Sequence, residues 1–265
     1  MKFLAFDTST DVMSIALSDG TRSWQHTGPG GAQSSTTLIP AILALLAEAG
    51  VALGELDAIA FGRGPGSFTG LRTACAVAQG LAFGAHQGGG VPVLPIDTLM
   101  AVAEETRFHL ALQGRPTAAG LRITALLDAR MDEMYVQSYL FDDLFNSNKA
   151  FKYDGCSLIK PENLEVNAGD ILAGNVFSAY AGRINLGAAT CITALPTASA
   201  MLRLAPALAA AGACVPASLA LPLYVRDKVA LTTDERVLVA LEKAQNAQKA
   251  QNALSAVQKL NAAAA

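Results

Sequence analysis

The fold is decided by a strand, a polar turn and a returning strand, which residues 2–18 spell out as KFLAFDTSTDVMSIALS. The apolar run at the start of this stretch ends at Asp7. Residues 12–18 then alternate apolar and small side chains, as a half-buried strand does. A third strand is predicted over residues 21–27, which gives three consecutive strands.

Helices and strands alternate in the residues that follow. The apolar pattern, caps and glycine stops first predict a helix that is capped by Ser34 or Ser35 and ends at Gly50. A strand at residues 56–61 and a helix at about 70–84 follow. The last two elements are a strand at 91–94 and a helix from Asp97 to about residue 105. The predicted order in this half is β-β-β-α-β-α-β-α, which is typical of an α/β fold.

The second half repeats this pattern. Residues 123–127 form an apolar run that ends at another aspartate, Asp128, and residues 133–141 form the returning strand. This weak internal repeat predicts duplicated lobes. Further strands are predicted at 151–153 and 170–173, and an Ala/Leu-rich helix at 197–211. The predicted division is an N-terminal lobe at residues 1–106, a C-terminal lobe at 107–233 and an Ala/Gln-rich tail at 234–265.

Composition argues against several classes of function. The formal net charge is −3, from 22 acidic and 19 basic residues, so no global field attracts nucleic acid. The four cysteines lie far apart and the three histidines are dispersed, which argues against a disulfide framework and a metal site. We see neither a secretory signal nor an apolar run of the ~18 residues that a membrane span needs, and therefore expect a cytoplasmic protein.

The first candidate site is the polar turn Asp7-Thr8-Ser9-Thr10. A turn with hydroxyls and exposed amides can cradle a phosphate, and an aspartate at a strand end can hold a metal-bound water. The alternative is a turn whose side chains only satisfy the neighbouring backbone amides. Spacing alone leaves both interpretations open.

The second motif is the glycine-rich stretch GPGSFTGLR at residues 64–72, which follows a strand and opens a helix. Glycines allow positive φ and close backbone approach, and a helix N-terminus binds anions. The stretch is neither a Walker loop nor a G-x-G-x-x-G motif with a downstream acid. The alternative is a purely structural loop, formed by Gly64, Pro65, Gly66, Ser67, Phe68 and Thr69.

The helices predicted at residues 37–49 and 70–84 are unusually apolar. The first carries Glu48 as its only charge, and the second has few polar side chains. A surface helix normally shows a polar face, so these two would expose an apolar patch unless something covers it. Either the second lobe or loops cover them, or another chain does. The expected partner surface consists of Ile39, Leu43, Leu46, Gly70, Arg72, Ala74, Val77, Ala78 and Leu81.

With Asp7-Thr8-Ser9-Thr10, GPGSFTGLR at residues 64–72 and Asp128-Ala129-Arg130, the sequence resembles the glycoprotease-like TsaB (YeaZ) family over roughly residues 2–230. The resemblance implies the actin/hexokinase-like (ASKHA) fold. It also implies a non-catalytic, degenerate paralogue of TsaD that acts in forming N6-threonylcarbamoyladenosine beside the tRNA anticodon. The implied partners are a TsaD-like paralogue and a TsaE-like ATPase, with tRNA bound only indirectly. Self-association as a homodimer through the same surface is also expected.

Several residues depart from the pattern of the catalytic relatives. TsaD-like proteins carry a metal-binding histidine pair where this sequence has Thr98 and Val102, and neither side chain replaces imidazole as a ligand. Asp132 stands where the family usually has Gly, which adds negative charge near any phosphate, and Gln33 replaces a frequent histidine. We therefore expect no metal and no cofactor, with ATP or ADP bound only weakly or within the complex.

Two enzymatic alternatives are left open. One is a small-molecule kinase or nucleotide hydrolase of the same fold, in which Asp7 and Thr8 hold Mg²⁺ and phosphate. The other is a metallopeptidase, which the older glycoprotease name of the family suggests and which the missing histidine pair disfavours.

Overall fold

The first half of the chain forms a mixed five-stranded sheet. The structure, a computed structural model, describes residues 1–85, 90–115, 120–141 and 155–226. The strands of the first sheet are β1 (Phe3–Asp7), β2 (Val12–Ser18), β3 (Ser23–Pro29), β4 (Ala58–Gly64) and β5 (Val93–Asp97), in the order β3-β2-β1-β4-β5. Strand β1 pairs antiparallel with β2 and parallel with β4, so the predicted strand–turn–strand unit is confirmed.

The second half forms a sheet with the same arrangement. Its strands are β6 (Leu121–Arg130), β7 (Glu133–Phe141), β8 (Ser157–Ile159), β9 (Ile171–Gly174) and β10 (Thr190–Thr193), in the order β10-β9-β6-β7-β8. Antiparallel β6 and β7 correspond to β1 and β2, and parallel β9 corresponds to β4. The internal repeat is therefore confirmed. The strand predicted at residues 151–153 lies outside the described residues.

Five α-helices are present in the described residues, with bounds α1 (Ser34–Ala49), α2 (Phe68–Gly84), α3 (Thr98–Leu112), α4 (Val176–Ala179) and α5 (Ala198–Ala210). Helices α1 and α2 pack with the apolar side chains of the first sheet in one core. Helices α3 and α5 pack with small side chains of the same sheet in a second core. Helix α3 also contributes to the core of the second sheet, so it lies between the two sheets.

Two predicted helix caps differ from the structure. Helix α1 starts without a side-chain cap, because the hydroxyl of Ser34 donates to the carbonyl of Gly31 (2.7 Å) in a preceding 3-10 turn. Asp97 occupies the predicted N-cap position of α3, but its carboxylate accepts a hydrogen bond from Arg63 Nε (2.5 Å) instead of one from the helix backbone. The predicted stop of α1 at Gly50 is confirmed, with φ +66° there.

The predicted division into lobes at residue 106 differs from the packing. Helix α3 continues to Leu112 and crosses that boundary. Helix α5, which the sequence placed in the second lobe, buries Met201 and Leu204 against Phe3 of the first sheet. The buried carboxylate of Glu104 on α3 accepts a hydrogen bond from Arg203 Nε on α5 (2.8 Å). The chain from Met1 to Val225 is one compact unit, and the predicted tail lies outside the described residues.

One helical segment of the described chain, Gly31–Ala49, is long and apolar enough to cross a membrane by length and composition alone, although the sequence showed no such run. The mean hydropathy of the segment is 1.2, because leucine, isoleucine and alanine predominate and Glu48 is its only charge. Leu38, Ile42 and Leu45 on α1 are buried in the core of the first sheet. One face of this helix therefore packs in the core, while 28% of the segment as a whole is buried.

Candidate functional site

The first candidate site, the turn after β1, is buried and internally bonded. Asp7 and Thr8 are fully buried. Asp7 Oδ1 accepts hydrogen bonds from the Ser9 amide (2.8 Å) and the Ser9 hydroxyl (2.6 Å). The Thr8 hydroxyl donates to the carbonyl of Gly70 (2.7 Å). Only Thr10 is partly exposed, and its hydroxyl bonds to Val12. Most side-chain polar groups of the turn are therefore bonded within the protein, and Asp7 Oδ2 is the exception.

The glycine-rich loop packs directly on this turn. The Ser67 amide donates to the carbonyl of Ser9 (2.8 Å). A β-carbon on Gly66 would stand 2.5 Å from the β-carbon of Ser9, and one on Gly70 would stand 1.8 Å from the carbonyl oxygen of Thr8. Glycine is needed here because two segments of protein backbone touch. This geometry supports the structural interpretation of residues 64–69 over that of an anion cradle. The Gly64–Pro65 peptide within the loop is cis.

The Asp7 carboxyl group occupies a dry environment. Burial raises the pKa of Asp7 from 3.8 to about 6, although hydrogen bonds from Ser9 act in the opposite direction. Asp7 Oδ2 and Thr98 Oγ1 have no hydrogen-bond partner among the described residues. A β-carbon on Gly62 would stand 1.9 Å from that Oδ2. Mg²⁺ binds accessible carboxylate and carbonyl oxygens, whereas phosphate binds exposed N–H and O–H donors, and this buried turn presents neither to a ligand.

The turn between β6 and β7 is also unsuited to phosphate. Arg130, Met131 and Asp132 all adopt positive φ, at 60°, 56° and 59°. Such a conformation is rare for residues other than glycine. The Asp132 carboxylate, which departs from the family's usual glycine, pairs with Arg183 at 2.9 Å. The amides of this turn are therefore surrounded by bulky and acidic side chains.

An ion pair joins the two turns. Arg130 Nη2 lies 3.1 Å from Asp11 Oδ2, and the Arg130 amide donates to Asp128 Oδ1 (2.8 Å). Asp128 Oδ1 also accepts a hydrogen bond from the hydroxyl of Tyr180 (2.7 Å). The turn of the first sheet and that of the second thus meet through protein side chains.

Thr98 and Val102 stand where TsaD-like proteins carry their histidine pair, and both lie on helix α3. Thr98 and Val102 are both fully buried at the start of this helix. Across the described residues, no three His, Cys, Asp or Glu side chains come together in a way that could hold a metal ion.

The apolar face predicted on α1 and α2 is exposed only in part. Leu43 is 52% exposed and Ile39 is 44% exposed. Arg72 is exposed, and Val77 and Leu81 are half-buried. The structure corrects the other predicted members, because their side chains or backbone lie inside the first lobe and cannot reach a partner: Leu46, Gly70, Ala74 and Ala78.

Two aromatic residues of α2 extend the exposed face, and the sequence did not single them out as contact residues. Phe83 is 56% exposed near the end of α2, and Phe68 is exposed at its start. We define the helical face as the exposed apolar residues Ile39, Leu43, Phe68 and Phe83. They lie on two neighbouring helices, with Phe68 and Phe83 near opposite ends of α2, and exposed apolar side chains of this size are candidates for a protein interface.

Fold and site together define a class. Two five-stranded sheets with the same strand order, each opened by a strand, a turn and a returning strand, make this an α/β protein of the actin/hexokinase-like fold. A family model described as TsaD, tRNA N6-adenosine threonylcarbamoyltransferase, matches residues 25–257.

The comparisons with individual proteins are more specific. The chain is 32% identical to the tRNA threonylcarbamoyladenosine biosynthesis protein TsaB of Haemophilus influenzae, over 86% of this chain and 95% of that protein. It is 31% identical to TsaB of Escherichia coli over 87% of this chain and 96% of that protein. The structure of YeaZ from Pseudomonas aeruginosa superposes with a TM-score of 0.70 at 36% identity, covering 84% of this chain and 99% of that one. The chain belongs to the TsaB (YeaZ) family.

Proposed function

We propose that this chain is a non-catalytic scaffold that binds a TsaD-like subunit and thereby supports formation of N6-threonylcarbamoyladenosine beside the anticodon of tRNA. The observation that carries the proposal is the helical face, whose large apolar side chains are exposed on two adjacent helices. The names of the relatives, which are tRNA threonylcarbamoyladenosine biosynthesis proteins, supply the pathway.

The polar groups of the chain support a scaffold rather than a catalyst. The carboxyl group and hydroxyls of Asp7, Thr8 and Ser9 are buried and mostly bonded to the protein itself. Burial raises the pKa of Asp7 to about 6, so its negative charge is less stable in this pocket than in water. We therefore propose that the isolated chain holds neither nucleotide nor metal, and that any ATP or ADP binds within the complex.

The charge and surface of the chain support its proposed partners. A formal net charge of −3 disfavours direct binding of tRNA, so another subunit holds the nucleic acid. We propose a TsaE-like ATPase as a further member of the complex and a cytoplasmic site of action. Because a C2 contact uses the same patch twice, the helical face also supports a homodimer when no TsaD-like subunit is present.

Co-purification and tRNA analysis test the proposal together. The full-length chain is purified with the TsaD-like subunit encoded in the same genome, and tRNA nucleosides are measured by mass spectrometry in a strain that lacks this gene. We expect a stable complex, loss of the modified nucleoside and its recovery with the wild-type gene. A strain that keeps the nucleoside, or a pure chain that binds ATP and Mg²⁺ tightly in calorimetry, would contradict the scaffold and favour a nucleotide-dependent enzyme.

A further inference from the structure

A segment late in the chain lies along α2. We call residues 214–225 the C-terminal strap. The carbonyl oxygen of Ala220 accepts hydrogen bonds from Gln79 Nε2 (2.9 Å) and Cys75 Sγ (3.2 Å) on α2. The Leu223 amide donates to the carbonyl of Arg63 at the end of β4 (2.7 Å). These bonds fix the strap to the body of the protein, next to the helical face.

The strap places small residues inward and large apolar residues outward. Ala217 and Ala220 are buried in the core of the first sheet. Leu219 is 62% exposed, Leu221 is 66% exposed and Tyr224 is 46% exposed. A segment that only closed the domain would gain more by burying its leucines, because each fully buried leucine contributes about 1.5–3 kcal/mol. The outward face therefore has the composition of a contact surface.

Arg72 connects the strap with the helical face. Its guanidinium lies 3.8 Å from the ring centroid of Phe68, and its Nε donates to the Tyr224 hydroxyl (3.2 Å). The two rings lie 5.4 Å apart, centroid to centroid. This stacking holds the guanidinium in one orientation, which lowers the entropy lost when it binds a ligand.

The charge of Arg72 is not matched by an acid. No carboxylate of the described residues lies within ion-pair distance of Arg72, and its Nη1 and Nη2 groups have no hydrogen-bond partner there. Other arginines of the described chain pair with carboxylates, such as Arg63 with Asp97 and Arg203 with Glu104. Arg72 is thus a fixed cation between exposed apolar side chains.

We propose that Arg72, Phe68 and Tyr224 form the polar anchor of the partner interface and bind a carboxylate side chain of the TsaD-like subunit, while Leu219 and Leu221 of the strap extend the apolar contact. Arginine and aromatic residues dominate interface energetics, and the guanidinium fork matches a carboxylate in a bidentate manner. This inference rests on the proposed function, because it names the chemistry by which that partner is recognised.

The surroundings of Arg72 favour a protein acid over nucleic acid. Arg72 is the only lysine or arginine in residues 34–49, 68–84 and 214–225, and of the arginines next to these ranges Arg63 pairs with Asp97 and Arg226 also has an interaction partner. Binding of a phosphate backbone normally uses several cations, whereas one arginine among apolar side chains suits a single carboxylate in a protein interface. A second copy of this chain offers Glu48 on α1 as an acid, so the test must separate the two occupants.

Affinity measured as a function of salt tests the anchor. Calorimetry measures the affinity of the full-length chain for the TsaD-like subunit at low and at high NaCl. Three proteins are compared: the wild type, Arg72→Gln and Arg122→Gln. Arg122 is a matched control, since it is a partly exposed arginine on β6 that pairs with Asp170. We expect Arg72→Gln to weaken binding about tenfold or more at low salt and to flatten the salt dependence, with an unchanged melting temperature. Arg122→Gln should bind as wild type does.

Further variants separate the possible outcomes. Tyr224→Phe keeps the ring but removes the hydroxyl that orients Arg72, so it should weaken binding by a smaller factor than Arg72→Gln. Wild-type affinity in Arg72→Gln, or weaker binding with an unchanged salt dependence, would overturn the anchor while leaving the scaffold in place. The anchor is also overturned if Arg72→Gln dissociates a homodimer of this chain but leaves binding to the TsaD-like subunit unchanged. No binding by the wild-type chain would overturn both the anchor and the proposed function.

Discussion

The carbonyl oxygen of Thr8 lies 1.8 Å from the position that a β-carbon on Gly70 would occupy. The Thr8 hydroxyl in turn donates a hydrogen bond to the carbonyl of Gly70 (2.7 Å). The glycine-rich loop is thus needed for the contact between α2 and the first turn, and two glycines of the same helix make this testable.

Gly70→Ala should strongly destabilise the protein, by about 3 kcal/mol or more, because the new methyl group would overlap with backbone atoms that cannot move aside. Gly80→Ala is the matched control, since nothing lies within 4 Å of its added β-carbon and alanine favours a helix interior by about 1 kcal/mol. Urea unfolding of both variants measures the difference. Equal stability of the two variants would show that the loop is not packed on the turn.

Asp7→Asn should change how stability depends on pH. The pKa of Asp7 is about 6 in the folded chain and near 3.8 when unfolded, so its contribution is fully present below pH 3.8 and is lost as the pH rises through about 6. The loss amounts to about 3 kcal/mol, at ~1.4 kcal/mol for each pKa unit. Asparagine has the same shape without the charge, so the variant should match wild type near pH 4 and exceed it at pH 8.

The control for this pH experiment is Asp11→Asn, because Asp11 is exposed in the same turn. Urea unfolding at pH 4.5, 6 and 8 provides the measurement. An Asp7→Asn protein that is less stable than wild type at pH 8 would mean that the ionised carboxylate is used by the folded protein.

Leu43→Glu should prevent binding to the TsaD-like subunit without unfolding the chain, since this side chain is 52% exposed on the helical face. Ala74→Glu should instead unfold the first lobe, because Ala74 is fully buried in its core. Leu112→Glu, on an exposed leucine at the end of α3, is the control for added charge. Circular dichroism and co-purification distinguish the three results. A folded Ala74→Glu protein, or a complex that survives Leu43→Glu, would contradict this assignment.

Met131→Gly should stabilise the protein by up to about 1 kcal/mol. Met131 has a φ of 56° in the middle of the β6–β7 turn, and a left-handed conformation costs roughly 1–2 kcal/mol for residues other than glycine. Part of this gain is offset by the greater freedom of glycine in the unfolded chain. Met131→Val provides the opposite case, because a β-branched residue tolerates this conformation least. A higher melting temperature for Met131→Val than for Met131→Gly would be inconsistent with a left-handed backbone at residue 131.

Local patterns were sufficient to predict the repeated strand–turn–strand units, because alternating apolar residues set which face of each strand is buried. They were not sufficient for α3, whose residues beyond Glu105 continue the helix to Leu112 without a clear stop. Strand β10 (Thr190–Thr193) has four residues and little burial, so no apolar run marks it.

The candidate surface was harder to predict for a related reason. Helix α2 is apolar nearly all round, so its sequence does not show which face turns inward. Packing against the first sheet decides this, and it buries Ala74 and Ala78 while leaving Phe68 and Phe83 exposed. The exposed side chains of the strap could not be predicted from the sequence, because their exposure depends on contacts with α2 that are distant in sequence.

Helix α3 has a mechanical consequence. It supplies Ala101 to the core of the first sheet and Leu99 and Val102 to that of the second, and Glu104 ties it to Arg203 on α5. A hinge motion between the two sheets would have to break the packing in one of these cores. The packing of α3 in both cores therefore favours motion of the two sheets together rather than against each other.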